Sequence, residues 1–165
     1  MIDLSLQSCL IEAENLSFQY GEGDLAQQVL KNIRLRVMSG EFIILAGPSG
    51  SGKSTLLSLI GALRPIQSGT LKVCQYDMGQ SMAGMHLIRR HIGYVFQQHN
   101  LLNFLTARQN VEMTLEMLGE KDDASRKERA LDMLDKVGLL NHANKYPPQL
   151  SVGQRQRVAI ARSLV

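Results

Sequence analysis

Gly47, Pro48, Ser49, Gly50, Ser51, Gly52, Lys53, Ser54 and Thr55 follow one another and contain the spacing G-x-x-x-x-G-K-[ST]. That spacing suits a phosphate cradle. Glycines at 47, 50 and 52 keep side chains out of the way, so backbone N–H groups can surround anionic oxygens. A helix beginning near Lys53 aims the positive end of its dipole, about half a charge, at the same point. Lys53 adds a full charge at the β- and γ-phosphates, and the Ser54 hydroxyl is placed to hold Mg²⁺. The chemistry read from these nine residues is binding of a nucleoside triphosphate with magnesium.

The elements around the cradle are those it needs. Phe42, Ile43, Ile44, Leu45 and Ala46 are apolar at every position, which predicts a strand buried on both faces running into the loop. Ser54 to Leu63 predicts the helix that follows, ended by Pro65. Upstream, Leu16, Phe18 and Tyr20 alternate with polar residues, as do Ile33, Leu35 and Val37, so two half-buried strands are expected there. Gly69 to Tyr76 predicts another strand, and Ile92 to Phe96 a further buried one. Beyond Gln97 the pattern turns helical, over Thr106–Leu118 and Ser125–Val137. Ser125 with Glu128 reads as a capping box for the second of these, and Gly138 as its C-terminal cap. A last helix begins at Ser151, whose hydroxyl is expected at the N-cap, making a second anion-binding point with the N–H groups of Val152 and Gly153.

The 165 residues amount to about one domain. With 44% hydrophobic and 20% charged residues, collagen-like, disordered and disulfide-scaffold classes are excluded. A net charge of +3, spread along the chain, does not by itself argue for nucleic acid. Arg89-Arg90, Arg126-Lys127-Arg129 and Arg155-Arg157-Arg162 read better as solvated helix faces than as nucleic-acid contacts. No apolar run reaches the roughly 18–20 residues of a membrane span, and no secretory signal is visible. Cys9 and Cys74 read as reduced packing cysteines of a cytoplasmic chain. His86, His91, His99 and His142 read as surface or packing histidines.

Several classes share the cradle. Asn144-Lys145-Tyr146-Pro147 departs from the Asn-Lys-x-Asp guanine reader of GTPases at its last position, and 46 residues precede Gly47 where small P-loop kinases begin almost at the loop. Leu150-Ser151-Val152-Gly153-Gln154, continuing into the basic helix Arg155 to Arg162, closely resembles the signature sequence of ATP-binding cassette (ABC) ATPases, with Val152 where that family usually has Gly. Val29 to Ile33, Ile60 to Pro65 and Phe96 to Leu102 resemble the lipoprotein-release and macrolide-export group of these ATPases. Leu105 to Val111 is similar to the heterocyst-type glycolipid exporter (DevA) branch.

The resemblance implies an α/β P-loop NTPase with an N-terminal antiparallel β subdomain and a helical insertion. Its parts would be a β subdomain at 1–40, a P-loop core at 41–97, a helical subdomain at 98–150 and a signature helix at 151–165. It implies that adenine stacks on Tyr20, worth about 1–3 kcal/mol by analogy with base–aromatic stacking. Gln97 would reach Mg²⁺ and the attacking water, so Lys53 and Gln97 would be the catalytic residues and Ser54 and Gln97 the metal ligands. Ser151, Gly153 and Gln154 would cover the γ-phosphate of ATP bound to a partner in a head-to-tail homodimer. The implied function is the ATP-binding subunit of an exporter. It would act at the cytoplasmic face of the membrane on a separate permease, contacted around Gln98 to Val111, with a periplasmic adaptor and no nucleic acid. The Asp-Glu strand and switch histidine expected after the signature helix are not found before Val165. An incomplete copy is therefore expected, the alternative being a short protein that binds ATP without hydrolysing it.

Overall fold

The computed structural model describes residues 8–79, 85 and 87–165. His86 lies outside the described residues. The chain divides into two compact units, Met1–His91 and Ile92–Val165.

The first unit carries a four-stranded antiparallel sheet made of β1 (Cys9–Tyr20), β2 (Gln27–Met38), β3 (Ser68–Val73) and β4 (Tyr76–Asp77), in the order β2-β1-β3-β4. β1 and β2 are far longer than the alternating cores that predict them. Their pairing shifts register at four places, and the middle two compensate each other. Asn15 adopts φ 50° between Ala13 and Leu16, so three residues of β1 stand opposite two of β2, and Asn32, also at φ 50°, reverses the slip between Ile33 and Leu30. Ala13, Leu16 and Phe18 all become buried despite a spacing that strict alternation forbids. Ser17 secures the second bulge, its hydroxyl accepting the Asn32 N–H at 2.9 Å. Gly69 of β3 crosses the first one so closely that a Cβ would lie 2.5 Å from the Asn15 carbonyl oxygen.

Two strand expectations need correction here. The stretch 69–76 is not one strand: it reverses at Cys74 and Gln75, both with positive φ (47° and 71°), pairing Val73 with Tyr76 across a two-residue turn. Phe42 to Ala46 forms no strand and is largely in solvent, Phe42 being 87% exposed. A strand apolar at every position needs neighbours along its edges and cover on both faces, and none of the described strands of this unit pairs with it. Helix α1 (Lys53–Ile60) packs its buried Leu56 and Leu59 into the unit's core. Both cysteines are free and half-buried, and burial pushes the Cys74 thiol up, away from thiolate reactivity.

The second unit is helical: α2 (Ala107–Met117), α3 (Asp123–Lys136) and α4 (Val152–Leu164). Val111, Leu134, Leu139, Leu150 and Val158 form its core. Thr106 caps α2 through a capping box with Gln109. The cap of α3 falls elsewhere than expected. Asp122, not Ser125, is the N-cap and accepts the Ser125 N–H at 2.9 Å, because a carboxylate satisfies the orphan N–H and the helix dipole together. Gly138 does end α3: at φ 68° it lets its own N–H reach Asp135 O and that of Leu139 reach Leu134 O, a Schellman closure. Ile92 to Phe96 forms no strand and alternates between half-buried and exposed positions, so the buried strand expected there is absent too. Gly93 is pressed against α4, where a Cβ would meet the Ser163 carbonyl oxygen at 2.2 Å. No helix among the described residues is long and apolar enough to cross a membrane.

Candidate nucleotide site

Gly52 is the hinge of the cradle. It caps α1 from the left-handed region (φ 87°), and a Cβ there would lie 2.8 Å from Leu30 Cδ2 and 3.0 Å from the Val29 carbonyl oxygen. Only glycine meets both demands, and the result is that the first turn of α1 starts directly against β2. The leading N–H groups of a helix have no partner within it, so those of Lys53, Ser54 and Thr55 remain available to an anion. Gly50 is also left-handed (φ 81°), and no atom lies within 4 Å of where its Cβ would stand, so that rim of the loop is open. The Lys53 ammonium folds back over the loop, donating to Gly47 O (2.8 Å), Pro48 O (2.7 Å) and Ser51 Oγ (3.2 Å). It is thus held over the loop, half-buried, with three neutral acceptors and no carboxylate partner among the described residues.

Tyr20 comes to the same place from the end of β1. Its hydroxyl is 3.2 Å from Thr55 Oγ1, its ring packs edge-on with Phe18, and the Arg64 guanidinium lies 5.1 Å from its centroid. The first unit therefore gathers Tyr20, Gly47, Pro48, Ser49, Gly50, Ser51, Gly52, Lys53, Ser54 and Thr55 into one site. Ser54 and most of the loop are exposed, and Thr55 is buried.

Gln97, Ser151, Gly153 and Gln154 belong to the second unit. Gln97 is exposed at a turn that continues through two left-handed residues, His99 (φ 64°) and Asn100 (φ 46°). Arg162 of α4 holds that turn, donating to Asn100 O at 2.7 Å and His99 O at 2.8 Å. Ser151 is the N-cap of α4, as its sequence context predicts. Its hydroxyl accepts the Gln154 N–H (3.2 Å), while Gln154 Oε1 accepts the Ser151 N–H (2.9 Å). Gln154 also places Nε2 3.1 Å from His142 Nε2. The Gln154 side chain is thus engaged in shaping the helix start, while the Ser151 O–H and the leading N–H groups of Val152 and Gly153 have no partner within the helix. Gly153 is exposed, with nothing within 4 Å of a notional Cβ.

The basic clusters are not simply solvated faces. Arg155 donates to Leu150 O (2.6 Å), Arg157 to Val137 O (2.9 Å), Arg126 to Glu120 O (2.7 Å) and Arg89 to Ala62 O (2.6 and 2.9 Å). These guanidiniums satisfy carbonyls at helix ends and loops, where the negative end of the dipole favours a cation. Asn110 was not singled out by sequence either. Fully buried, its Oδ1 accepts the Leu102 N–H and its two Nδ2 hydrogens are shared among the carbonyls of Leu102, Leu105 and Thr106, all within 3.1 Å, fixing the loop before α2. An asparagine four residues beyond an N-cap threonine, facing an apolar stripe, was the available signal.

Residues 30–165 match the family model described as ABC transporter. The ABC transporter ATP-binding protein MJ1508 of Methanocaldococcus jannaschii is 44% identical over 161 residues, covering 94% of this chain and 70% of that protein. YvrO, an ABC transporter ATP-binding protein of Bacillus subtilis, is 44% identical over 158 residues, covering 94% and 69%. The macrolide export ATP-binding/permease protein MacB of Escherichia coli K12 is 41% identical over 158 residues, covering 94% of this chain and 24% of MacB. Among solved structures, the dimeric bacterial ABC transporter cassette MJ0796 superposes with a TM-score of 0.87 at 41% identity, over 94% of this chain and 69% of that one. A post-hydrolysis dimer of the same cassette, bound to ADP and Pi, gives 0.86.

Proposed function

Because the chain belongs to the ABC transporter family, as one of its ATP-binding cassettes, we propose that residues 47–55 hold the triphosphate of ATP and that Tyr20 stacks its adenine. The observation that carries this reading is the convergence at the start of α1: free helix N–H groups, the Lys53 ammonium folded over the loop on neutral acceptors, and Tyr20 tied to Thr55 at 3.2 Å. Ser54 fits a magnesium ion. Its hydroxyl is exposed in the first turn beside the cradle, and a hard cation that keeps several waters needs only one or two protein oxygens there besides the phosphates. Magnesium would neutralise charge on the β- and γ-oxygens. Gln97 is the candidate second ligand and water-positioning group, and Lys53 the candidate charge stabiliser for phosphoryl transfer.

The start of α4 supports a second role. Ser151 and Gly153 present a helix N-terminus with an open approach, suited to the γ-phosphate held by a second copy of the chain. A head-to-tail homodimer with two ATP molecules between its subunits follows, a reading supported by the dimeric state of the solved MJ0796 cassette. We assign 1–40, 41–97, 98–150 and 151–165 to the β subdomain, P-loop core, helical subdomain and signature helix. The subunit would sit at the cytoplasmic face of the membrane and drive export through a separate permease, with a periplasmic adaptor as the further partner. The likeness to MacB supports the direction.

Sedimentation velocity tests the reading. With MgATP or a non-hydrolysable analogue, the wild-type chain is expected to shift toward twice its mass. Gly153→Glu, which sets a carboxylate where the phosphate would approach, is expected to stay monomeric with its own ATP affinity unchanged. A wild-type chain that binds ATP and never dimerises at high concentration contradicts the second role.

A further inference from the structure

The turn that ends α1 delivers Arg64 to Tyr20 by a defined route. Ala62 occupies the left-handed position after the helix (φ 56°), with its N–H on Leu59 O and that of Leu63 on Ser58 O. Alanine bears strain there that glycine would not, yet Ala62 is fully buried and its carbonyl takes both Arg89 bonds, so the turn is fixed from two sides. Pro65 then restricts Arg64 to an extended backbone. The guanidinium ends 5.1 Å from the Tyr20 ring centroid.

Tyr20 is restrained more than its position requires. The residue closes an exposed strand end and is itself 37% exposed, a setting in which a tyrosine ring ordinarily turns freely. Here the hydroxyl meets Thr55, the Phe18 ring stands against it at 74°, and Arg64 lies over it. The main chain just before it is clamped as well: Gln67 Oε1 accepts the Gln19 N–H at 2.7 Å, and Gln67 Nε2 donates to Gln19 O at 3.0 Å. A ring ordered in advance loses less freedom when a flat ligand stacks on it, and that saving appears as affinity.

We propose that Arg64 is a positioning residue for the purine. Its guanidinium backs one face of Tyr20 and, with the hydroxyl bond to Thr55, holds the ring as a preformed platform whose remaining exposed surface receives the base. This rests on the assignment of Tyr20 as the adenine-stacking residue. Arg64 touches the nucleotide only through Tyr20, so its effect belongs to the base and not to the phosphates.

Calorimetry with two probes, MgATP and magnesium tripolyphosphate, separates base from phosphate. Arg64→Ala is expected to weaken MgATP about two- to fivefold, the range of an exposed cation–π contact, Tyr20→Phe to weaken it by a similar factor through loss of the hydroxyl bond to Thr55, and both to leave tripolyphosphate unchanged. Arg64→Lys keeps a cation over the ring and is expected to retain most of the affinity. Adding Arg64→Ala to Tyr20→Ala is expected to cost nothing further. Arg64→Ala that leaves MgATP unchanged, tightens it, or weakens both probes equally overturns the proposal: tightening would make Arg64 a competitor for the ring, and equal weakening a phosphate contact. The stacking assignment has its own control. If Tyr20→Ala does not weaken MgATP, that assignment fails, whereas a loss with Tyr20→Ala and none with Arg64→Ala removes the Arg64 role alone.

Discussion

Phe42, Ile43 and Ile44 in the first unit are as apolar as Val111, Leu134 and Val158 in the second, yet the first three stand in solvent and the other three are fully buried. The helical unit closes its core from its own residues. α2, α3 and α4 each turn one face inward, each begins at a side-chain cap, and further end groups are met by other residues of the same unit, as Val137 O is by Arg157. The first unit is complete only in its antiparallel sheet, where each described strand has a neighbour. Hydrophobicity states what a segment will do when partners are present. A helix makes its backbone hydrogen bonds internally and needs cover on one face, whereas a buried strand needs cover on two faces and pairing along its edges.

The contrast breaks most visibly at Leu134. Leu134→Ala is expected to cost about 2–5 kcal/mol of unfolding free energy, read by urea denaturation. A loss of a few tenths would show that the helical core is not tightly packed. Arg162 is a smaller, more local case. Its two carbonyl contacts are hydrogen bonds from a charged group, so Arg162→Ala is expected to cost about 1.5–3 kcal/mol and to speed amide exchange over residues 97–100. Unchanged exchange there would mean that the Gln97 turn is held by something else. Ile44→Ser, in the exposed stretch, is expected to shift stability by no more than about 0.5 kcal/mol while raising solubility. If it costs as much as Leu134→Ala, the segment is covered in solution and the contrast between the units falls.

The sequence shows some of this plainly and hides the rest for identifiable reasons. The cradle is legible because its glycines, lysine and serine have local duties that depend on spacing alone. So are the caps at Ser151 and Gly138, whose partners lie within a few residues. The bulges at Asn15 and Asn32 are hidden because each shows only in the register of β1 against β2, which neither strand's own pattern reports. Arg157 and Arg162 read as surface charge until the carbonyls they bind, 20 and 62 residues away, are in place. Segments 42–46 and 92–96 carry the composition of buried strands and form none, because composition reports burial propensity and does not report pairing.

Calorimetric titration of the 165-residue chain with MgATP, beside Lys53→Ala, tests the central claim most directly. Saturable binding that falls at least about tenfold when the ammonium is removed is the predicted result, consistent with loss of a charge-assisted contact to phosphate. Equal affinity in the two folded proteins, or no heat in either, would contradict it.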